Sequence, residues 1–459
     1  MDLFRKKEIG SSAEKESHLA KCLTALDLTF LGVGAIIGAG IFILTGVVAA
    51  VDAGPAVVFS YIFAGIACVF SALSYAELAS SIGGCGSAYG YAYAGFGELI
   101  AWIVGWDLLL EYAISVSAVS VGWSGYANDF LLTLKIHLPK ILLAGPSEGG
   151  IFNLMACLII AILMGLSIWG VKSSTRVNNI MVAIKLVVIL LFIVIACGEI
   201  RPSNWSPFLP YGWLGVIKGA SLIFFAYIGF DVVSTTAEEA INPQRDLPKG
   251  IMGSLFICTL LYIVVSGLLT GIARYSTLNV SSPISHALLV LGYKIAASFI
   301  SVGAITGLTT VILAMYYGLT RVFFAMSRDG LLPQFFSKTN EYTQTPIRII
   351  VFSGLVSGTL AAFFPIHVLA ELVNIGTLFA FFIVCVGVLY LRYTKPKIHR
   401  PFKTPGMPYV PILGMISCLY LMIYLPSVTL MRFIIWMAVG LVIYFTFGRV
   451  NSKLGTSMK

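Results

Sequence analysis

Residues 31–42 of the chain read LGVGAIIGAGIF and place four glycines inside its first apolar run. A helix in lipid must satisfy every backbone hydrogen-bonding group internally, and a glycine inside a helix costs about 0.5–1 kcal/mol relative to alanine. Gly34 and Gly38 alone have the GxxxG spacing of a helix-contact motif. However, Gly32 and Gly34 lie about 200° apart around a helix, as do Gly38 and Gly40, so the small residues are not confined to one face. The pattern favours unwound backbone over a helix-contact patch.

Unwound backbone at membrane depth is tolerated only where it is packed in protein or lines a cavity. A half-helix that starts near Ala39 presents free N–H groups at its positive end, which suit a carboxylate. The half that ends near Ile36 leaves carbonyl groups unpaired, which suit an ammonium. Together the two ends are complementary to the two charges of an α-amino acid, so the sequence predicts such a substrate.

The composition is that of a membrane protein. Of the 459 residues, 58% are hydrophobic and only 11% are charged, far from the average of soluble domains. Twelve apolar stretches are long enough to cross about 30 Å of hydrocarbon. They lie near residues 28–50, 55–78, 98–121, 151–169, 177–197, 213–238, 250–271, 297–326, 346–364, 367–391, 409–426 and 430–448. The sequence therefore predicts an all-α polytopic protein of twelve transmembrane helices in a lipid bilayer.

Lysine and arginine residues give the orientation of these helices. The two termini and every second connection hold 19 of the 29 basic residues, whereas the opposite connections hold five. Because cytoplasmic loops are enriched in basic residues, both termini are predicted to be cytoplasmic, in a cell membrane. Orientation accounts for the net charge of +9, so no nucleic-acid partner is implied.

The sequence contains few residues that would support a function other than transport. The eight cysteines and five histidines are scattered singly, which predicts no metal site and no cofactor. There is no nucleophile–base set for an enzyme, no Walker loop for ATP hydrolysis, and no repeated filter for a channel. The sequence identifies no accessory subunit.

The twelve predicted spans divide into two sets of five, followed by two further spans. The predicted organisation is a cytoplasmic arm at 1–26, a first repeat at 27–197, a second repeat at 213–391, two helices at 409–448 and a cytoplasmic tail at 449–459. Because five is odd, the second repeat must be inverted relative to the first. Each repeat begins with an interrupted helix, at GAIIGAG (34–40) and at FFAYIGFD (224–231).

Four motifs together resemble the amino acid, polyamine and organocation superfamily, and within it the cationic amino acid transporters and their bacterial relatives. They are GVGAIIGAGIFILTG (32–46), DLLLEY (107–112), FFAYIGFDVVSTTAEEAINPQRDLPKGI (224–251) and SRDGLLPQFF (327–336). The resemblance covers nearly all of residues 22–450. It implies a leucine-transporter type fold with discontinuous helices 1 and 6, and alternating access around a central site.

The resemblance also implies the substrate contacts. It puts the substrate carboxylate on the amides of Gly38, Ala39 and Gly40. It puts the substrate amine on the carbonyls of Ile36, Phe225, Ala226 and Ile228. The ring of Phe225 is expected to close over the substrate. Relatives often have a hydroxyl residue at the position of Ala39, so a side-chain hydrogen bond to the carboxylate is missing here.

Three ionisable residues within the predicted spans are candidates for a functional role. Lys185 is about 12 Å along its helix from the cytoplasmic end, and a charge at that depth indicates a functional residue, with a structural ion pair as the alternative. The resemblance places a lysine there in some proton-coupled relatives and sodium in sodium-coupled ones, which favours protons as the driving ion. Asp231 is expected to support the broken helix 6. For Glu111, proton or substrate handling and a packing network remain equal alternatives.

Met315 is placed by the resemblance toward the substrate side chain, with ordinary core packing as the alternative. If it lines the pocket, it shortens the cavity and favours small or neutral amino acids over arginine. The sequence thus predicts a secondary active transporter that imports amino acids by proton symport. An amino acid exchanger or a polyamine permease is the alternative.

Overall fold

The computed structural model describes residues 5–6, 23–82, 87–133, 135–169, 172–237, 240–280, 282–340, 343 and 345–457. Most of the arm predicted at 1–26 therefore lies outside the described residues. In the described part of the chain the backbone is helical and contains no strand, apart from one isolated bridge between Leu23 and Ala240.

The α-helices are numbered in chain order. They are α1 Ala25–Ile36, α2 Thr45–Val48, α3 Val57–Ile82, α4 Ser87–Gly95, α5 Glu98–Thr133, α6 Leu154–Trp169, α7 Lys172–Gly198, α8 Gly212–Ile223, α9 Val232–Thr235, α10 Pro243–Ile272, α11 Pro283–Val290, α12 Lys294–Arg328, α13 Ile347–Phe363, α14 Ile366–Thr394, α15 Tyr409–Ile423, α16 Ser427–Ile443, α17 Arg449–Asn451 and α18 Lys453–Ser457. Segments Gly40–Leu44, Ala49–Ala53 and Tyr444–Gly448 are π-helical.

Many of these helices are apolar enough to cross a membrane. Among the described residues, eight helical segments have the length and composition of membrane spans. They are Gly40–Ile82, Glu98–Leu132, Asn179–Gly198, Gly212–Ser234, Pro243–Ile272, Lys294–Arg328, Ile366–Thr394 and Ser427–Asn451. Four shorter apolar helices accompany them, namely α1, α6, α13 and α15. The chain is a multi-pass membrane protein.

Local sequence signals explain where α1 begins. The Thr24 hydroxyl accepts from the Asp27 N–H at 3.3 Å, and the Thr24 N–H donates to the Asp27 carboxylate at 3.0 Å. This reciprocal capping box satisfies two of the N–H groups that have no partner at a helix start. It fixes the first residue of the helix that leads to the glycine-rich segment.

Helix α5 is central to the packing. It lies along α12 and α14, while α1 packs against α10 and α12. The interior of the molecule is rich in tyrosine, and Tyr61, Tyr75, Tyr112, Tyr227 and Tyr262 are fully buried. A buried tyrosine hydroxyl needs a partner, and several of these reach the backbone at the site described next.

Candidate substrate site at two helix ends

The first interruption separates α1 from the helical segment that follows it. Helix α1 ends at Ile36, and Ile37 has extended backbone with φ −74° and ψ 99°. Helical hydrogen bonding resumes with Phe42, whose N–H donates to the Gly38 carbonyl at 3.3 Å. The N–H groups of Gly38, Ala39 and Gly40 belong to the first turn, so they have no acceptor within the helix.

The second interruption lies between α8 and α9. Helix α8 ends at Ile223, one 3₁₀ turn covers Phe224–Tyr227, and Ile228 is extended. Gly229 follows with φ +120°, and an added Cβ there would lie 2.9 Å from the Ala35 carbonyl carbon. Glycine is required at this position both by its dihedral angle and by the close approach of the α1 backbone.

The two interruptions also touch at Gly40. A Cβ at Gly40 would lie 2.2 Å from the Ala226 Cβ and 2.4 Å from the Ala226 Cα. The segments that the sequence singles out in the two halves of the chain are therefore in direct backbone contact.

A small cavity lies between these segments. Its volume is about 10 Å³, which is room for about one water molecule. Seven of the nine predicted substrate-binding residues line it, namely Ile36, Gly38, Ala39, Gly40, Phe225, Ile228 and Met315. The wall is completed by Ala35, Ser115, Val119 and Val311. A molecule of the size of an amino acid fits only when the surrounding helices move apart.

Ala226 and Asp231, the other two predicted residues, lie beside the cavity. The Ala226 carbonyl accepts from the Tyr262 hydroxyl at 2.8 Å, and the same hydroxyl lies 2.8 Å from the Ile36 carbonyl. One hydroxyl thus bridges two of the carbonyls that the resemblance assigns to the substrate amine. Tyr262 was not singled out by the sequence.

Asp231 is fully buried next to the second interruption. One carboxylate oxygen accepts from the Gly229 N–H at 3.2 Å, and the other accepts from the Tyr112 hydroxyl of α5. Asp231 therefore ties the irregular backbone to α5, and it contacts this backbone without reaching the cavity wall.

The ammonium of Lys185 caps the C-terminal end of α1. This ammonium donates to the carbonyls of Gly34 at 2.7 Å and Ile37 at 3.0 Å, and to the Thr310 hydroxyl at 3.1 Å. Three partners use all three of its donors, and a cation is favoured at a helix C-terminus. Lys185 makes no ion pair with a described carboxylate, so the alternative of a structural ion pair finds no support in this part of the chain.

Glu111 and Asp107 form a pair of buried carboxyl groups on α5. Both side chains are fully buried, and none of their four oxygen atoms makes a hydrogen bond of ordinary geometry with a described residue, although the Thr377 hydroxyl lies close to the Glu111 carboxyl group. Asp231 and Asp107 are the charged neighbours of Glu111. An unpartnered buried carboxylate is expensive, and proton or substrate handling and a packing network both stay alternatives for Glu111.

Ser115 extends the same face of α5 toward the cavity. It is 2% exposed, lines the cavity and has no partner for its hydroxyl among the described residues. Asp107, Glu111 and Ser115 are spaced by four residues, so they share one side of the helix. That spacing was visible in DLLLEYAIS (107–115), yet sequence reasoning singled out only Glu111.

Comparison with known proteins decides the family. A family profile described as amino acid permease matches residues 23–455. The chain belongs to the amino acid permease family. The resemblance to the amino acid, polyamine and organocation superfamily is thereby confirmed, and with it the resemblance to cationic amino acid transporters.

Two bacterial relatives of this permease match over almost the full length, and a plant relative matches over most of it. It is 50% identical over 460 residues to the branched-chain amino acid permease BcaP of Bacillus subtilis, covering 98% of this chain and 99% of the relative. It is 48% identical over 456 residues to the methylthioribose transporter of the same organism, with coverage of 98% and 99%. It is 41% identical over 407 residues to the vacuolar cationic amino acid transporter 4 of Arabidopsis thaliana, covering 86% of this chain and 68% of the relative.

Proposed function

We propose that this permease is a secondary active transporter that imports a small or branched-chain neutral amino acid by proton symport. One observation supports the proposal above all others. The free N–H groups of Gly38, Ala39 and Gly40 and the carbonyl of Ile36 meet at one cavity. Helix ends of opposite polarity are complementary to a carboxylate and an ammonium held one carbon apart.

The rest of the cavity wall supports a neutral substrate side chain. Its side chains include Val119, Val311, Met315 and Phe225, and none of the lining residues is acidic. A cationic side chain or a polyamine would be left without a partner, which costs several kcal/mol in a buried site. The wall therefore argues against the polyamine alternative and agrees with the substrate in the name of the branched-chain relative.

Methylthioribose is the second candidate substrate, because one relative is named for its transport. The observation in its favour is the unpartnered hydroxyl of Ser115, which suits a neutral ligand with hydroxyl groups. A sugar has several hydroxyl groups, however, and Ser115 is the single polar side chain on the wall. Site polarity therefore favours the amino acid.

The helix order supports the finer architecture of the proposal. Helix α1 and Gly40–Ala53 together form one span, and α3 forms the next. The other seven long segments and the short helices α6, α13 and α15 bring the number of spans to twelve. We assign the inverted repeats to 27–197 and 213–391, with 409–448 outside them, and both termini to the cytoplasm. Transport then follows alternating access, in which the two interrupted helices open the cavity to one side at a time.

Lys185 supports protons as the driving ion. Its ammonium occupies carbonyl groups at the end of α1, where the resemblance places sodium in sodium-coupled relatives. The buried carboxyl groups of Glu111 and Asp107 offer a second place to hold a proton, one to two turns from Ser115 at the cavity wall. A proton that enters the cavity can thus be held either by Lys185 or by the carboxyl groups of Glu111 and Asp107.

Uptake into proteoliposomes tests the whole proposal. Labelled leucine or valine is expected to accumulate only when the external medium is more acidic than the lumen, and a protonophore is expected to abolish accumulation. A competitor panel of all amino acids, methylthioribose and spermidine identifies the substrate class. Best competition by methylthioribose, or accumulation that requires only internal amino acid, would replace the proposal with that transporter or with an exchanger.

Replacing Met315 with serine is expected to widen the end of the cavity that receives the substrate side chain. Longer or cationic amino acids should then compete about tenfold better, because one or two buried methylene equivalents change selectivity by that order. The matched control is Met326, which is buried in the same helix about 16 Å farther along and does not line the cavity. Competition profiles that are equal for M315S and wild type would remove Met315 from the site.

Replacing Glu111 with glutamine is expected to lower proton-driven accumulation about tenfold, since a neutral amide cannot exchange a proton with the cavity. Exchange of internal for external substrate should persist, because it requires no net proton movement. The control is Glu371→Gln, which removes a half-buried carboxyl of α14 that already has Thr429 as partner at 2.7 Å. Equal loss of exchange and accumulation would assign Glu111 to packing.

A further inference from the structure

A groove unrelated to the substrate cavity lies between the start of α10 and the connection from α14 to α15. Its volume is about 540 Å³, within the range of about 300–1,000 Å³ usual for small-ligand sites. Arg245, Lys249 and Met252 line it from α10, and Pro401 and Phe402 line it from the connection. One wall thus presents two cations, and the other is apolar.

The two cations of the groove have no partners among the described residues. Arg245 and Lys249 are exposed and four residues apart, so they share one face of α10. Neither side chain makes a hydrogen bond or an ion pair with a described residue. Asp246, the acidic residue next to Arg245, is 8% exposed and does not line the groove.

Two arginine residues at the end of α14 and in the neighbouring connection are paired with Glu77 of α3, in contrast. Arg392 donates to both carboxylate oxygens of Glu77, at 2.7 and 2.8 Å, and Arg400 lies 3.3 Å from the same carboxylate. The Thr404 N–H donates to Glu77 at 2.8 Å. This network fixes the connection against α3, so one groove wall is held in place, while the charges on the other wall have no partner in the part of the chain that the structure describes.

The cationic face of α10 continues into an apolar, exposed stripe. Arg245, Lys249, Met252, Phe256 and Leu260 follow one another at intervals of three or four residues, which places them along one side of the helix. Phe256 is 72% exposed and Leu260 is 54% exposed. In a membrane these side chains face hydrocarbon, so the groove lies where the helix leaves the bilayer.

We propose that this groove binds the headgroup of an anionic phospholipid. Arg245 and Lys249 would hold the phosphate through charge-assisted hydrogen bonds, and an acyl chain would follow the stripe of Met252, Phe256 and Leu260. Basic pockets between membrane helices at the cytoplasmic boundary are suited to anionic lipid headgroups. The continuous apolar stripe favours a lipid over free phosphate, because a soluble anion gains nothing from it.

A lipid bound here would bridge two parts of the transporter. Helix α10 packs along α3 and along α1, which ends at the substrate cavity, and the connection is fixed to α3 and α14 through Glu77. The lipid therefore resists separation of α10 from the connection.

Thermal unfolding of the purified full-length permease tests the site. In detergent with added dioleoyl-phosphatidylglycerol the unfolding midpoint is expected to rise by several degrees, and an equal amount of dioleoyl-phosphatidylcholine should have little effect. The R245Q/K249Q variant should lose most of this difference, and native mass spectrometry should show at least fivefold less retained phosphatidylglycerol. The matched control, K338Q/K397Q, removes two exposed charges outside the groove and should behave as wild type.

Three outcomes would overturn the proposal. An equal loss in K338Q/K397Q means that diffuse charge binds the lipid. An equal stabilisation by inorganic phosphate at matched concentration means that the groove is a site for a soluble anion. Stabilisation that does not distinguish the two lipids means that no headgroup site exists. None of these results depends on which substrate is transported.

Discussion

Replacement of Lys185 with alanine is expected to abolish accumulation of substrate under a proton gradient. The substitution removes three hydrogen bonds from a charged donor, and one such bond contributes about 1.5–3 kcal/mol. Because about 1.4 kcal/mol corresponds to a factor of ten, uptake should fall at least about tenfold. The loss should be largest for uptake that is driven by a proton gradient, since the ammonium stabilises the arrangement in which α1 is fixed to α7 and α12.

The measurement is uptake into proteoliposomes at several external pH values, with and without a protonophore. Wild-type uptake should rise as the external medium becomes more acidic, and the K185A profile should be flat. Lys218→Ala is the matched control, because Lys218 lies on the apolar helix α8 but is exposed and remote from the carbonyls of α1. A K185A transporter that still concentrates substrate under a proton gradient would exclude Lys185 from coupling and favour the exchanger.

Replacement of Gly40 with alanine is expected to have an effect of similar size for a steric reason. The new Cβ would lie 2.2 Å from the Ala226 Cβ and 2.4 Å from its Cα, and backbone cannot move aside as a flexible side chain can. Overpacking in a well-packed core costs about 1–3 kcal/mol and occasionally more. The substitution also forces the two interrupted segments apart at the proposed site, so uptake should fall to background.

The matched control for G40A is Gly165→Ala in α6. A Cβ at Gly165 meets no atom within 4 Å, and alanine is a better helix former than glycine by about 1 kcal/mol. G165A should therefore keep wild-type uptake and unfold at the same temperature or slightly higher. Both variants are measured by uptake and by thermal unfolding of the purified protein. Normal uptake by G40A would contradict the close contact of the two segments.

The sequence was most informative where backbone chemistry follows from residue type. Four glycines on both faces of one span predicted a departure from regular helix, and α1 ends within that stretch. The depth of Lys185 in an apolar run predicted a functional residue. Neither pattern identified the partners, because Gly34, Ile37 and Thr310 meet Lys185 only through the packing of three helices. The contact of Gly40 with Ala226 likewise joins positions 186 residues apart.

The polar stripe on α5 shows a different limit. The spacing of Asp107, Glu111 and Ser115 could be read from the sequence, but a four-residue spacing of polar groups is equally compatible with a satisfied network. Only the surroundings show that all three side chains are buried and that their oxygen atoms make no hydrogen bond of ordinary geometry with the described residues. Burial and hydrogen bonding of this kind depend on neighbours far along the chain, so a local pattern cannot supply them.

The hydroxyl of Tyr262 competes with the substrate ammonium for two carbonyl groups of the proposed site. A hydroxyl has one proton, yet this one lies at equal distance from a carbonyl of each interrupted segment, Ile36 and Ala226. Because each carbonyl oxygen has two lone pairs, an incoming ammonium shares these acceptors with the hydroxyl, which lowers the net gain on capture. When the ammonium leaves, the hydroxyl stays and the carbonyl is not left bare. Weaker binding and easier release of the substrate favour turnover, because a transporter must release its substrate in every cycle.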